Sequence, residues 1–260
     1  MLEFVDTHCH LYLPEFKNDL SAVLQRAKSS GISRFYLPAI DSSTLEDMLA
    51  LEQLFPQECI PMMGLHPCSV NENLQQELDL IEEMLSKRKF VAIGEIGLDF
   101  HWDLTHKDKQ YEAFNFQMEL ALKYQLPIVI HSRNAMRECI DAVKPFAARG
   151  LRGIFHCFGD SLTLANEIIE MNFYLGIGGV ITYKKSGLAD VIKDVSLNHI
   201  VLETDAPYLT PVPFRGKRNE SSYIKYVADK IAEVKQLSLE QIAEITTANA
   251  ERIFRCRVGE

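Results

Sequence analysis

The sequence lacks the features that mark membrane, secreted and disulfide-stabilised proteins. No run approaches the roughly 18 apolar residues that a bilayer-spanning helix needs. No basic region followed by an apolar segment opens the chain, so no secretory signal is indicated. The six cysteines include no CxxC pair, and their scatter is typical of reduced, mostly buried thiols in a cytosolic enzyme. We therefore expect a cytoplasmic protein that has no membrane partner and no obligate protein partner.

The sequence also lacks an excess of positive charge. Its 27 Lys and Arg residues are outnumbered by 36 Asp and Glu residues, which gives a formal net charge of −9. Nonspecific binding of nucleic acid depends on many basic side chains that neutralise phosphates, so the net charge argues against a broad basic footprint. A local phosphate site stays open, and bound divalent cations would offset part of the negative charge.

No linker, low-complexity tract or repeat divides the 260 residues. Short apolar β-type runs alternate with amphipathic segments, and the predicted strands cover 2–9, 32–40, 59–66, 90–98, 127–132, 153–158, 173–179 and 199–205. Helices are predicted at 15–30, 43–55, 72–88, 107–125, 134–148, 161–171, 186–195, 220–234 and 239–254. Eight such units fit a single α/β domain over 1–260, a (β/α)₈ TIM barrel, better than a doubly wound sheet.

The first predicted strand ends in two histidines that are one residue apart. Residues i and i+2 of a strand point to the same side, so His8 and His10 can aim their imidazoles at one point. Two histidines at this spacing also occur as a solvated strand end, so the pair alone does not establish a metal site. Cys9 and Cys157 each lie beside such a histidine, and we expect both thiols to pack into the opposite layer.

Polar residues that could bind metal follow six of the eight predicted strands. The active site of such a barrel lies at the carboxyl ends of the strands, so these side chains are expected to converge. Five of the eight histidines belong to the set. In chain order its members are His8, His10, His66, Glu95, Asp99, His131, His156, Glu203 and Asp205.

A single histidine at a strand end is more often a hydrogen-bonded core or rim residue than a ligand. Coincidence on several strands is harder to accept, because gathering histidines and carboxylates at one mouth is costly without cations to neutralise and order them. Imidazole and carboxylate are the ligands that hold paired divalent metals. Such a pair needs a bridging carboxylate, and Glu95 is the candidate.

The motifs DTHCHL, GLHP, GEIGLD, HSR, HCFG, ETDAP and RGKRN run through nearly the whole chain. In this combination the chain resembles the TatD-type metal-dependent hydrolases, among the amidohydrolase-like barrels, and looks most similar to the YjjV branch. The resemblance implies that His8, His10 and Asp205 bind one metal, that His131 and His156 bind the other, and that Glu95 bridges them. Many members have Asn-Glu-Pro where this chain has Asn219-Glu220-Ser221, which affects only the expected start of the next helix.

The resemblance further implies phosphodiester hydrolysis, as a deoxyribonuclease that trims single-stranded DNA ends. Our hypothesis is that a water between two ions attacks phosphorus and that Asp205 is the general base, so Asp205 and Glu95 are the catalytic residues. The two divalent ions are Zn²⁺, Mn²⁺ or Mg²⁺, because the ligands do not select among them. Hydrolysis of a small amide, lactone or phosphoester at the same metals is the alternative.

Four further residues are expected to contact substrate. His66 is assigned to a substrate phosphate or to orientation of a ligand, with a structural role as the alternative. Arg133 offers a planar donor fork to an anion. Arg215 and Arg218 belong to a basic cluster after the last strand, which is expected over the site or else as a solvated loop. Near the same mouth, base stacking or the shaping of a small-molecule pocket is expected of three aromatic residues: Trp102, Tyr183 and Phe214.

Overall fold

The computed structural model describes residues 2–254 of the chain. Within them lie eight strands: β1 (Phe4–Asp6), β2 (Ile32–Leu37), β3 (Cys59–Pro61), β4 (Ile93–Asp99), β5 (Ile128–Arg133), β6 (Gly153–Phe155), β7 (Tyr174–Ile177) and β8 (Ile200–Leu202). The α-helices of the same range are α1 (Leu20–Ser29), α2 (Ser42–Leu54), α3 (Leu74–Lys87), α4 (Lys107–Tyr124), α5 (Met136–Ala147), α6 (Leu162–Glu170), α7 (Leu188–Asp194), α8 (Ile224–Lys235) and α9 (Leu239–Phe254).

The strands are all parallel and close into a barrel. Hydrogen-bonded ladders link each strand to the next one in the chain, from β1 through β3 and from β4 through β8. A bridge between Met63 and Ile93 connects the two groups on one side, and a bridge between Cys9 and Ala206 connects them on the other. The predicted (β/α)₈ barrel is therefore confirmed, and the doubly wound sheet is excluded because an open sheet would leave two edges unpaired.

The barrel interior is closed at the amino ends of the strands. One buried residue from each strand or its immediate flank forms a cluster that is separate from the packing between strands and helices, and it contacts the last turn of α9. The ring of Phe254 stacks on Tyr36 with centroids 4.1 Å apart. Only the carboxyl ends of the strands therefore remain available for a site.

Seven of the eight regular strands are shorter than predicted. The first was expected over 2–9, whereas its ladder ends at Asp6 and the two histidines follow it. The extended path nevertheless continues, because the Cys9 N–H donates to Tyr36 O (3.1 Å) in β2 and the His10 N–H donates to Ala206 O (2.8 Å). His8 and His10 consequently still project to one side, while Cys9 is buried in the outer core as expected.

Helix boundaries agree better with the predictions, because local chemistry sets them. Ser161 Oγ caps α6 by accepting from the Leu164 N–H at 3.4 Å. At the start of α9, Ser238 Oγ accepts from the Gln241 N–H and the Gln241 side chain accepts from the Ser238 N–H, the two contacts of a capping box. Of the helices in 2–254, none combines the length and apolarity needed to cross a bilayer. The five cysteines of this range are free thiols, and Cys256 lies outside it.

Candidate metal centre

The buried side chain of Glu95, in β4, stands at the centre of the barrel mouth. One carboxylate oxygen, Oε2, lies 3.1 Å from His8 Nε2 and 3.5 Å from His10 Nε2. The other oxygen, Oε1, lies 2.8 Å from His131 Nδ1 and 3.1 Å from His156 Nε2. Each oxygen of one carboxylate thus faces its own pair of imidazole nitrogens.

Asp205 completes the first of these groups. Its Oδ1 lies 3.6 Å from both His8 Nε2 and His10 Nε2. The six residues predicted as ligands therefore come together. The two ligand groups are less clearly separated than the resemblance implied, because the His156 ring stacks on His8 with centroids 3.7 Å apart and also approaches Asp205.

Asp205 is held by contacts that reach across the barrel seam. The Asp6 carboxylate accepts from the Thr204 N–H (3.0 Å) and from the Thr204 hydroxyl (2.6 Å). The Asn219 amide donates to Thr204 O (2.7 Å) from the other side, while the Asp205 N–H donates to His8 O (2.9 Å). Asp205 itself has a φ of +56°, which an Asp tolerates better than most residues. The loop after β8 is therefore built around the position of this carboxylate.

The proton positions of two histidines follow from their outer partners. The Tyr12 hydroxyl donates to Pro38 O (2.6 Å), so it accepts at 2.9 Å from His10 Nδ1. His131 Nε2 lies 2.9 Å from Asp99 Oδ2, an acceptor when ionised. Both outer nitrogens therefore carry hydrogen, and when neutral His10 and His131 direct a lone pair at Glu95.

His156 has a carboxylate on its outer side as well. Its Nδ1 lies 3.3 Å from Oε1 of the buried Glu203. A carboxylate behind an imidazole is the usual companion of a histidine that binds metal, because it orients the ring and raises its basicity. Neither Glu203 nor Asp99 was assigned to the predicted site, although both were noted at strand ends. Tyr12 was missed altogether, and its position two residues after His10 was the only available signal.

His66 has the opposite arrangement. Its Nδ1 accepts from the Cys68 backbone N–H at 3.0 Å, and an N–H group can only donate. The proton of the neutral ring is therefore on Nε2, which lies 3.4 Å from Glu95 Oε1 and 3.2 Å from His131 Nδ1. His66 shares the mouth with Glu95 and His131, but it presents a donor there, which supports the prediction that it is not a ligand.

The charge balance of the site favours cations. Burial by itself would lower the pKa of His10, but Asp205 and Glu95 outweigh burial and raise that pKa to about 9. Burial would raise the pKa of Glu95, yet the charge of the surrounding histidines, His156 first, holds it well below its usual range. In the metal-free protein the proton on His10 supplies positive charge between Glu95 and Asp205, and a bound cation would take its place. This donor set fits divalent metal ions.

The site forms the floor of a cavity of about 1010 Å³. Its rim carries Trp102, Tyr208 and Arg133, and the Arg133 guanidinium lies 5.0 Å from the centre of the Trp102 ring. Arg133 has no ion pair among residues 2–254, so its donor fork is available to an anion. Cys157 also lines this cavity, whereas it was expected to pack away from the site. The reason is that β6 ends at Phe155 and Cys157 has a φ of +48°.

The structure does not bring Arg215 and Arg218 to this cavity. The Arg218 guanidinium makes a two-pronged ion pair with Asp19 (2.7 and 2.8 Å) and also donates to Glu15 O. Arg215 lies over the ring of Tyr183, 4.3 Å from its centre. Partners elsewhere in the chain contact both arginines, so the structure does not support the expectation that they reach a substrate in this cavity.

Two of the three aromatic residues expected at the mouth also lie elsewhere. Tyr183 donates its hydroxyl to Thr210 O (2.9 Å), and Phe214 stacks on Tyr223 with centroids 4.6 Å apart. Neither is among the residues that line the cavity, whereas Trp102 is. Helix α8 begins at Ile224, after a 3-10 turn at Ser221–Tyr223, so this turn forms with a serine at position 221.

Comparison with known proteins gives one consistent result. The family model described as TatD related DNase matches residues 5–255. The Bacillus subtilis protein named "Uncharacterized metal-dependent hydrolase YabD" is 42% identical over 252 residues, which cover 96% of this chain and 98% of that protein. The crystal structure of Escherichia coli YjjV, a TatD homologue, matches with a TM-score of 0.92 at 30% identity and covers 98% of this chain and 99% of YjjV. A TatD family hydrolase from Entamoeba histolytica has the same fold, with a TM-score of 0.83 at 22% identity over 97% of this chain and 98% of that one.

Proposed function

The chain belongs to the family of TatD-related DNases, and we propose that it is a single-domain, two-metal hydrolase that cleaves phosphodiester bonds at single-stranded DNA ends. The observation that carries this proposal is the two-sided environment of Glu95. Its Oε2 faces His8 and His10 at 3.1 and 3.5 Å, while its Oε1 faces His131 and His156 at 2.8 and 3.1 Å. A carboxylate whose two oxygens each face imidazole nitrogens that can bind metal has the arrangement that a bridging ligand requires.

In this proposal His8, His10 and Asp205 would hold one ion, His131 and His156 would hold the second, and Glu95 would be shared between them. When bound, divalent ions polarise a phosphoryl oxygen and lower the pKa of a nucleophilic water. Four imidazoles and two carboxylates suit Zn²⁺ or Mn²⁺ by ligand softness, whereas Mg²⁺ prefers oxygen ligands.

The proton of the attacking water is assigned to the Asp205 carboxylate. Burial would raise the pKa of Asp205, but the hydrogen bond that the protonated His10 ring donates and the charges of His156 and His8 lower it overall. Asp205 is therefore ionised at neutral pH and able to accept a proton. Its held position after β8 gives the fixed geometry that general-base catalysis requires.

Two residues of the mouth are proposed to contact the substrate directly. His66 carries its proton on Nε2, so it can donate a hydrogen bond to a phosphoryl oxygen beside Glu95. Arg133 presents its guanidinium at the rim, next to Trp102, a residue that is 70% exposed. A nucleobase that stacks on Trp102 would place its phosphate within reach of Arg133.

One observation favours a second candidate, hydrolysis of a small phosphoester, amide or lactone. Arg133 and Arg137 are the arginines that line the cavity, and Arg137 makes a two-pronged ion pair with Glu167 (2.6 and 2.8 Å). A cavity of about 1010 Å³ lies at the upper end of the range for small-molecule sites. Few unpaired basic side chains in this cavity are thus available to contact the phosphates of a nucleic-acid backbone.

One experiment tests the proposal and separates the candidates. Protein purified without chelators is analysed for metal, then loaded and assayed on 3′-labelled single-stranded DNA beside small phosphoesters, amides and lactones. We expect two ions per chain and release of nucleotides from DNA. Binding of DNA should show a shallow salt dependence, with a log–log slope of about −1, because one or two phosphates are contacted. Turnover of a small substrate without DNA cleavage would favour the second candidate, and a metal-free, inactive protein would refute both.

A further inference from the structure

We infer that Tyr12 is a positioning residue of the metal centre: its hydroxyl holds His10 with the proton on Nδ1 and so leaves the Nε2 lone pair free for a cation. The inference rests on the proposed metal-dependent function. It concerns a residue outside the proposed ligand set, and it explains which nitrogen of His10 keeps its proton when the ring is neutral and binds a cation.

The direction of each hydrogen bond follows from the partners. Pro38 O is a carbonyl and can only accept, so at 2.6 Å it takes the single proton of the Tyr12 hydroxyl. The Tyr12 hydroxyl oxygen also lies 2.9 Å from His10 Nδ1. With its own proton committed to Pro38, the Tyr12 oxygen accepts there, and Nδ1 must be the donor.

This chain of hydrogen bonds is isolated from solvent. The side chains of Tyr12 and His10 are both buried, and Pro38 directly follows β2. Water therefore has little access to replace the tyrosine as the partner of Nδ1. A buried polar group without a partner costs about 1–3 kcal/mol, so the arrangement that satisfies all three groups is favoured.

The consequence appears on the inner side of the ring. His10 Nε2 lies 3.5 Å from Glu95 Oε2 and 3.6 Å from Asp205 Oδ1. With the proton on Nδ1, the neutral ring directs a lone pair at the space between these carboxylates. With the proton on Nε2, the ring would donate to a carboxylate and would compete with a cation for that space.

His66 shows that the outer partner decides the proton position within this same mouth. There the outer partner is the Cys68 backbone N–H, at 3.0 Å from Nδ1, and the ring turns a donor toward Glu95. Two histidines that approach the same carboxylate are thus held in opposite tautomers. The outer partner of His10 is a hydroxyl that must accept, and the outer partner of His66 is a backbone amide that must donate.

The test compares Tyr12→Phe with Tyr183→Phe, with Zn²⁺ alone as the probe. Both changes delete a hydroxyl that donates to a backbone carbonyl, Pro38 O or Thr210 O, but only Tyr12 touches a histidine. Loss of a residue that orients a metal ligand typically weakens affinity 10–100-fold. We expect that loss in chelator competition for Tyr12→Phe, which converts to about 1.4–2.7 kcal/mol of Zn²⁺-dependent stabilisation. Tyr183→Phe should bind Zn²⁺ as tightly as the parent.

Nitrogen-15 NMR of the Zn²⁺-loaded parent protein gives a second measurement that needs no variant. We expect a protonated Nδ1 and a metal-bound Nε2 for His10. A proton on Nε2, or equal Zn²⁺ affinity in a folded Tyr12→Phe protein, would overturn the inference. Tight Zn²⁺ binding without hydrolysis of any phosphodiester would refute the proposed function and leave the role of Tyr12 standing. Absence of Zn²⁺ binding in the parent would refute both.

Discussion

The substitution Glu95→Gln tests the charge balance of the candidate metal centre most directly. It preserves the size of a buried side chain but removes the carboxylate that faces histidines on both of its oxygens. We expect the variant to lose at least one of the two ions that are proposed to bind. We also expect the metal-free variant to be less stable than the metal-free parent, by an amount that depends on pH.

The magnitude follows from the distances. In the metal-free protein His10, His131 and His156 have raised pKa values, so these rings carry positive charge beside Glu95 at slightly acidic pH. A unit charge pair at 2.8 Å, the separation of Glu95 Oε1 and His131 Nδ1, is worth about 6 kcal/mol at an effective dielectric constant of about 20. Desolvation offsets much of this, and breaking a buried pair typically costs about 3–5 kcal/mol.

The sign of the pH dependence is set by the histidines. The folded-state pKa of His10 is about 9, which lies above its ordinary value of 6.5. The stability that the charged ring contributes is therefore fully present below about pH 6.5 and is lost as the pH rises through about 9. Removing Glu95 removes this contribution, so the penalty should be about 3–5 kcal/mol near pH 6 and clearly smaller near pH 9.5.

The assay is urea denaturation in the presence of a chelator at both pH values. Glu52→Gln is the matched control, because Glu52 pairs with Arg88 at 2.6 Å and an arginine stays charged throughout this range. Its penalty should be the same at both values. A Glu95→Gln penalty that does not change with pH, or a variant that keeps the full metal content, would refute the reasoning.

Three further predictions follow from named contacts. Asp205→Asn should lower turnover about 10²–10⁴-fold while most of the metal stays bound, and near-normal turnover of the metal-loaded variant would exclude its role as general base. In steady-state kinetics, Arg133→Gln should raise KM about tenfold for a phosphate-bearing substrate and leave kcat nearly unchanged. Arg218→Gln should change neither constant, because Arg218 is paired with Asp19. Ser238→Ala removes half of the capping box of α9 and should cost about 1 kcal/mol, visible as a fall in Tm of roughly 2 °C, and an unchanged Tm would show that α9 does not depend on its cap.

Local pattern was enough for the order of the elements and for some of their ends. Helix α9 was predicted over 239–254 and found at Leu239–Phe254, because Ser238 and Gln241 mark its start within four residues. The strand ends were predicted less well: β1 was expected over 2–9 and stops at Asp6. Strand length depends on which neighbours supply hydrogen bonds, and those neighbours lie far away in sequence.

The sequence by itself determined that the six candidate metal ligands meet at the barrel mouth, because parallel strands bring their carboxyl ends to one place and each candidate lies at or just after such an end. His8 and His10 were placed in this way, and so were Glu95, His131 and Asp205.

Only the tertiary structure decided how these side chains face one another. The two oxygens of Glu95 serve different histidines, and Tyr12 sets the proton of His10 through a carbonyl 26 residues away. The fold likewise turned Arg218 toward Asp19, which is 199 residues distant, instead of toward the cavity. The direction of a side chain depends on its partner, and such a partner is not visible in the local sequence.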